Sequence, residues 1–250
     1  MKSAILTDLT RCTGCEACVM ACREINGLPR TSENHRLNAH TWTAIEHHQG
    51  IPIRRHCMQC EQPSCVAACP VGALTKTSEG AVIYDAGRCM GCRYCMIACP
   101  FSIPKYEWQA RIPRVQKCSF CYDSALKKGH EPACTAACPS GATIYGEREA
   151  LIKEAQQRIA THPQRYIPTL YGLTEAGGAS VLYLSAMPFE KLGFPATIQH
   201  KPYPDLTWQE LSRIPTMVSA GAAFLFSAWW IINRRIKMAN ESERSSDQTA

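Results

Sequence analysis

The sequence lacks the motifs of several large protein classes. It contains no glycine-rich phosphate loop, no Rossmann fingerprint and no hydrolase triad signature, so nucleotide-dependent chemistry and triad hydrolysis have no support. No C-x2-C pair is followed directly by histidine, which excludes the attachment motif of a c-type haem. The first residues show no succession of basic, apolar and small residues, and we therefore expect no secretory signal in this chain.

Cysteine, in contrast, is abundant, with 16 in 250 residues. Residues 89–100 read C-x2-C-x2-C-x3-C-P, the ligand run of a bacterial ferredoxin that holds a 4Fe-4S cluster. Three thiolates of such a run bind one cluster, and the fourth cysteine normally ligates a neighbouring cluster. The chain contains four versions of the run, and in one of them Arg23 replaces the proline.

The cysteines of these four runs are the candidate metal ligands. They are Cys12, Cys15, Cys18 and Cys22 (set one); Cys57, Cys60, Cys65 and Cys69 (set two); Cys89, Cys92, Cys95 and Cys99 (set three); and Cys118, Cys121, Cys134 and Cys138 (set four). Cysteines so close in sequence favour shared metal centres over disulfides. Zinc is the alternative metal, but it needs two separated pairs per ion, and sets one and three place three cysteines on one short loop. We therefore expect four 4Fe-4S clusters.

Charge has to be counted with the metal included. The formal net charge of +6 treats cysteine as neutral, and sixteen thiolates with four oxidised cluster cores change it to about −2. We therefore interpret the basic excess as compensation for anionic clusters and expect no nucleic-acid partner. A basic or potentially basic residue directly precedes each set: Arg11, His56 (after Arg55), Arg88 and Lys117. Such charges would raise cluster potentials, but solubility and charge balance explain them equally well.

Short strands and helices are predicted around the cysteine runs. Residues 4–6 and 41–45 suggest strands, and residues 70–84 suggest a β-hairpin that leads from set two to set three. Residues 139–145 repeat the pattern of 70–74, and residues 147–160 have the periodicity of an amphipathic helix. The predicted fold class is therefore α+β, with a cysteine-rich domain over residues 1–160.

The amino-acid composition of the sequence changes after residue 160. Residues 161–213 contain no cysteine and are rich in proline, glycine and aromatic residues. We interpret them as an extended arm that packs on the cluster domain or on a partner, with one strand candidate at 179–184.

The last part of the chain contains a candidate membrane span. Thr216–Ile232 is a run of 17 residues without a charge, the lower limit for crossing a bilayer. A buried core helix is the alternative, but Trp229, Trp230 and the basic residues that follow favour a membrane interface. We predict a single transmembrane helix at 214–233 and a polar tail at 234–250. The basic residues favour a cytoplasmic C-terminus, which places the cysteine domain on the periplasmic side.

These motifs resemble the four-cluster iron–sulfur electron-transfer subunits of bacterial respiratory oxidoreductases. That family includes the beta subunits of membrane-bound formate dehydrogenase and the iron–sulfur subunit of quinone-reducing nickel–iron hydrogenase. The resemblance covers about residues 3–160, and residues 170–178 with the helix at 216–232 resemble the C-terminal anchor region. It implies two interleaved ferredoxin-like dicluster modules, the inner one (about residues 50–110) inserted in the outer one.

The resemblance also implies crossed ligation. The implied ligand sets are Cys12, Cys15, Cys18 and Cys138; Cys118, Cys121, Cys134 and Cys22; Cys57, Cys60, Cys65 and Cys99; and Cys89, Cys92, Cys95 and Cys69. Set three would then hold an interior cluster, a middle link of a four-cluster wire.

A function follows from the ligand count. Sixteen cysteines fill every protein ligand position of four clusters, so the clusters can transfer electrons and do little else. The resemblance implies a non-catalytic relay from a catalytic subunit, which oxidises formate, hydrogen or another donor, to an integral quinone-reactive membrane subunit of cytochrome b or other polytopic type. The missing signal fits export together with the catalytic subunit, or else a cytoplasmic domain. The alternative function is a membrane-anchored structural zinc-binding scaffold.

Overall fold

The computed structural model describes residues 2–29 and 35–247, with side chains as far as Met238. The chain divides into two compact units, Met1–Pro204 and Asp205–Ala250. The strands are β1 (Ser3–Asp8), β2 (Ala44–His48), β3 (Ile51–Arg55), β4 (Leu74–Lys76), β5 (Val82–Tyr84), β6 (Lys105–Tyr106), β7 (Val115–Gln116), β8 (Thr143–Glu147) and β9 (Val181–Leu184). The helices are α1 (Ala17–Ile25), α2 (Ser64–Ala67), α3 (Tyr94–Ala98), α4 (Ala133–Ala136), α5 (Arg148–Thr161), α6 (Tyr203–Leu211) and α7 (Ile214–Asp247).

A three-stranded sheet with the order β8-β1-β9 forms the base of the first unit. Strand β1 is apolar on both faces, because Ile5 packs into one hydrophobic cluster and Leu6 into the other. Helix α5 covers the second face with Leu151, Ile152 and Ala155. The remaining strands form the two-stranded ladders β2–β3, β4–β5 and β6–β7.

The sheet brings two distant cysteine runs together. Strands β1 and β8 are antiparallel, with Thr7 opposite Thr143. The end of β1, which leads into set one, therefore lies beside the start of β8, which follows set four. The backbone N–H of Asp8 donates to the carbonyl of Ala142 at 2.7 Å across this junction. The loops that carry the first and last cysteine runs consequently meet at the same end of the sheet.

Most of the predicted elements are confirmed, and one is shifted. The strand at 4–6, the hairpin at 70–84, the helix at 147–160 and the strand at 179–184 correspond to β1, β4–β5, α5 and β9. The strand expected at 41–45 begins only at Ala44, because Asn38 and Thr41 exchange backbone hydrogen bonds and close a turn before it.

The segment expected as an extended arm contributes to the core of the first unit. Strand β9 pairs in parallel with β1, and Tyr171, Phe189 and Phe194 pack their rings together, with 4.7 Å between the centroids of Tyr171 and Phe194. The first unit runs to Pro204 and therefore includes this segment. The physical reason is that the central sheet has only two strands without β9, and one side of β1 would then lack hydrogen-bond partners.

The second unit contains the candidate membrane helix. The segment Tyr203–Met238 is long and apolar enough to cross a bilayer, and it includes the predicted span at 214–233. Pro215 lies in the first turn of α7, where its missing N–H costs no helical hydrogen bond. The side chains of Phe224 and Leu225 are 73% and 69% exposed. One long apolar helix with exposed apolar side chains fits a membrane anchor.

Candidate metal centre

Sets one and three wind their cysteine loops in the same way. Gly14 and Glu16 have φ of 71° and 58°, and the equivalent Gly91 and Arg93 have φ of 74° and 64°. Two left-handed residues at the same positions turn each loop tightly around its first three cysteines. Helices α1 and α3 then begin one residue before the third cysteine of each set. The C-x2-C-x2-C spacing therefore becomes the same compact loop in both sets, with the third cysteine, Cys18 or Cys95, buried.

The turn after the fourth cysteine is repeated in sets two and four. Gly72 and Gly141 both have φ of 61°, and each donates its N–H to the carbonyl of the preceding Cys69 or Cys138 at 3.3 Å. Each turn leads into a strand, β4 or β8, as the sequence repeat predicts. The N–H of Ala73 also donates to the Sγ of Cys69 at 3.2 Å.

These turns favour thiolates. Burial acts to raise the pKa of Cys69, but the N–H groups of residues 71–74 outweigh it and lower that pKa below its ordinary value. The pKa of Cys138 is lowered in the same way, by backbone N–H groups and the Ser140 hydroxyl acting against burial. Because metal ligands must be deprotonated, these two turns are suited to hold ligating thiolates.

The effects of the thiols on one another's pKa indicate which of them lie near one another, and they are consistent with four candidate groups. For example, burial raises the pKa of Cys18 to about 11, and the nearby thiols of Cys134, Cys12 and Cys138 raise it as well. The four groups are Cys12, Cys15, Cys18 and Cys138 (group A); Cys22, Cys118, Cys121 and Cys134 (group B); Cys57, Cys60, Cys65 and Cys99 (group C); and Cys69, Cys89, Cys92 and Cys95 (group D). All four thiols of group D also line one cavity. Each group thus combines three cysteines of one set with one of another.

Effects on pKa between thiols of different groups are consistent with a row of the groups. Cys134 affects the pKa of Cys18, Cys57 affects that of Cys118, and Cys95 affects that of Cys65. These pairs join A to B, B to C and C to D.

The thiols of a group do not converge on a single point where one metal ion could bind. Within residues 2–29 and 35–247, no three His, Cys, Asp or Glu side chains lie close enough to hold a single metal ion. A tetrahedral zinc ion with Zn–S bonds of about 2.3 Å holds its thiolates within roughly 4 Å of one another. A cubane of four irons and four sulfides is wider and holds its ligands farther apart. The cysteine spacing in the sequence, with three ligands on one short loop in sets one and three, favours a cluster over a single zinc ion.

A buried arginine indicates the charge that the site is built to hold. Arg54 is 1% exposed, and its Nη2 donates to the Sγ of Cys134 at 2.8 Å. No carboxylate among the described residues forms a salt bridge with Arg54, and its Nε has no hydrogen-bond partner. Burial alone would lower its pKa, but the thiolates of Cys134 and Cys18 raise it above the ordinary value. Because an unpaired buried charge costs several kcal/mol, the donor set fits anionic clusters.

The residues proposed from sequence as tuning charges lie in different environments. Arg11 and Arg88 have exposed side chains that pair with Asp8 and Asp85, at 3.6 and 3.3 Å. Burial and the charge of Arg54, whose Nη1 lies 2.5 Å from the Nε2 of His56, lower the pKa of His56 well below its ordinary value. Lys117 is the exception: it is 4% exposed and carries its charge beside the thiols of group C.

Arg54 itself was missed by the sequence analysis, which considered only the residue directly before each set. The alternation of side chains along β3 is the signal that could have found it. Arg55 points away from the thiols, where its Nε lies 3.2 Å from Glu46 and its guanidinium lies 3.8 Å from the ring centroid of Phe194. Its neighbour Arg54 must therefore point to the opposite face, towards the thiols.

Comparisons with known proteins agree on the chemistry of these loops. Residues 51–148 match the family described as a 4Fe-4S dicluster domain, and residues 9–25 match a 4Fe-4S binding domain. The chain is 37% identical to the Hydrogenase-2 operon protein HybA of Escherichia coli O157:H7, over 76% of this chain and 72% of that protein. It is 36% identical to the formate dehydrogenase-O iron-sulfur subunit of Escherichia coli K12, over 72% of this chain and 66% of that subunit. A protein of Nitratidesulfovibrio vulgaris is 35% identical over 98% of this chain and 71% of its own length.

Proposed function

This chain belongs to the ferredoxin-type iron–sulfur electron-transfer subunits of respiratory oxidoreductases, and we propose that it relays electrons through four 4Fe-4S clusters between a catalytic subunit and an integral quinone-reactive membrane subunit. The chain is non-catalytic, like the subunits to which it is related. The observation that carries the proposal is the presence of sixteen cysteines in four ferredoxin-type runs, together with the match of residues 51–148 to a 4Fe-4S dicluster domain. When bound, such clusters supply one-electron transfer.

Each thiol group would ligate one cluster, so that ligation is crossed between the sets. Cys138, Cys22, Cys99 and Cys69 would supply the fourth ligands of groups A, B, C and D. Groups A and B would form the outer dicluster module and groups C and D the inner one, which begins near residue 50. The shared cavity of group D and the thiol neighbours within each group support this pairing.

The row A–B–C–D would be the electron path. The neighbouring thiols at each junction support this order. In this arrangement set three serves the terminal group D rather than an interior cluster. Electrons would enter and leave at groups A and D, so the two partner subunits would dock at opposite ends of the row.

The helix α7 would anchor the relay in the membrane. Residues 214–233 of this helix carry no charge, and Arg234, Arg235 and Lys237 follow. Basic residues directly after a span favour the cytoplasmic side. The cluster domain would then lie on the periplasmic side of the cell membrane, with a polar tail in the cytoplasm.

Metal analysis of the full chain tests the cluster content. Anaerobically purified protein should contain about 16 iron and 16 acid-labile sulfide per chain, since each cubane has four of each. A colourless protein with about four zinc ions and no sulfide would support the zinc scaffold instead. Purification of the intact complex, with identification of its largest and its integral membrane subunits, tests the partners.

Three cysteine variants test the crossed ligation. Cys69→Ser and Cys92→Ser belong to different sets but to the same group D, so both should change the same electron paramagnetic resonance signal. Cys60→Ser shares set two with Cys69 but lies in group C, and it should change a different signal. If Cys69→Ser and Cys60→Ser alter one signal and Cys92→Ser another, ligation follows the sets and crossed ligation is wrong.

A further inference from the structure

We infer that the buried guanidinium of Arg54 raises the reduction potentials of two clusters at once, those of groups A and B. This inference rests on the proposed function, because it requires clusters at both groups. It assigns to Arg54 the role of a positioning and tuning residue: it would set how readily two neighbouring links of the relay accept an electron.

The position of Arg54 between the two groups supports a shared effect. Its Nη2 donates to the Sγ of Cys134 in group B, and its charge acts on the thiols of Cys18 and Cys12 in group A. Cys18 lies on α1 and Cys134 on α4, two helices that pack together, and both side chains belong to one hydrophobic cluster. Arg54 therefore lies at the junction of the two groups, where its Nη1 lies 2.5 Å from the Nε2 of His56 and 3.5 Å from the Oγ1 of Thr7 in β1.

The sign of the effect follows from charge. When a cluster accepts one electron, no bond forms or breaks at its ligands, and its net charge becomes more negative by one. A nearby cation stabilises that reduced form, and a hydrogen bond to a ligand sulfur acts in the same direction. The effect is large at Arg54 because the side chain is 1% exposed, so solvent screens it little. No carboxylate within the described part of the chain forms a salt bridge that would cancel its charge.

The neighbouring Arg55 offers a matched control. It has the same formal charge and the same strand, but its guanidinium pairs with Glu46, donates to the carbonyl of Leu192 at 2.7 Å and packs on Phe194. Its charge is therefore already compensated on the opposite face of β3. Neutralising Arg54 and neutralising Arg55 change the net charge equally, and only the position of the lost charge differs.

The test is a redox titration, followed by electron paramagnetic resonance, of the cluster-loaded full chain and of the variants Arg54→Gln, Arg54→Lys and Arg55→Gln. Cysteine variants in each group assign the signals. In Arg54→Gln, we expect the reduction equilibrium of clusters A and B to fall about tenfold, which is about 59 mV for a one-electron couple. Clusters C and D should shift less. Arg54→Lys should shift A and B in the same direction but by less, and Arg55→Gln should shift neither.

Several results would overturn the inference. They are unchanged potentials of A and B in Arg54→Gln at full iron content, an equal shift of all four clusters, and an equal shift in Arg55→Gln. If Arg54→Gln loses iron, Arg54→Lys decides: a smaller downward shift confined to A and B supports the inference, and unchanged potentials reject it. Loss of iron in both variants would make Arg54 purely structural. Wild-type protein without four clusters would instead reject the proposed function itself.

Discussion

Replacing Leu182 by alanine tests whether β9 belongs to the base that holds the outer cysteine loops. Leu182 is fully buried and lies opposite Leu6 in the parallel pair of β1 and β9. It packs in the cluster that includes Leu151 of α5 and Leu184 of β9. The truncation therefore opens a cavity between the sheet and its covering helix, far from any cysteine in sequence.

The expected magnitude follows from this burial. A fully buried leucine truncated to alanine loses about 2–5 kcal/mol of stability, a large share of a total of about 5–15 kcal/mol. For a unit of roughly 200 residues, 1 kcal/mol corresponds to about 2–4 °C in Tm. We therefore expect the Tm of Leu182→Ala to fall by about 4–20 °C. Ile112→Ala, at a side chain that is 73% exposed, should change the stability by less than about 0.5 kcal/mol.

The assay is thermal unfolding of the cluster-loaded chain, followed by far-ultraviolet circular dichroism and visible absorbance. On heating Leu182→Ala, cluster A should be lost before cluster D. Cys12 follows β1 and Cys138 precedes β8, whereas no ligand of group D adjoins the three-stranded sheet. A Tm of Leu182→Ala within 2 °C of that of Ile112→Ala would refute the reasoning. Loss of cluster D first would show that the sheet does not hold the outer loops.

Three further predictions concern the backbone, the membrane and the charge. Gly172→Ala should lower Tm far more than Gly129→Ala. Both glycines have positive φ, so both substitutions strain the backbone. Only at Gly172 would the added Cβ also clash, 2.2 Å from a carbonyl oxygen of β9, whereas a Cβ at Gly129 would have no atom within 4 Å. Gly129→Ala should cost only about 1–2 kcal/mol of backbone strain. Leu225→Arg places a charge inside the span at a cost of about 2.5–3.5 kcal/mol, so carbonate extraction should release more chain than from wild type; equal retention would argue against a span. Lys117→Met should lower the potential of cluster C, while Lys128→Met, at an exposed lysine, should leave it unchanged; equal potentials in both titrations would remove Lys117 from a tuning role.

The parts of the structure that sequence predicts well are local. Cysteine spacing indicates the loops because three ligands on one turn depend only on neighbouring residues, such as the left-handed Gly14 and Gly91. Helix α5 is predictable for the same reason, since its periodicity lies within 14 residues. Long-range contacts are different. Two examples are the pairing of β9 with β1 and the contact of Arg54 with Cys134, 80 residues away. Each joins segments that are distant in the chain, and no local sequence pattern predicts which distant segment will be the partner.

The placement of buried cations suggests how folding and cluster binding are linked. Arg54 lies at the junction of groups A and B, and the Nζ of Lys117 donates to the carbonyls of Val82 and Cys118 where group B meets group C. Neither cation forms a salt bridge with a carboxylate of the described residues. Without anionic clusters, both junctions would bury uncompensated positive charge, at a cost of several kcal/mol each. The central sheet has no such requirement, because its two apolar clusters bury β1 on both faces. Removal of iron should therefore open the junctions between the cysteine loops first and leave the sheet with α5 as the last structure to unfold.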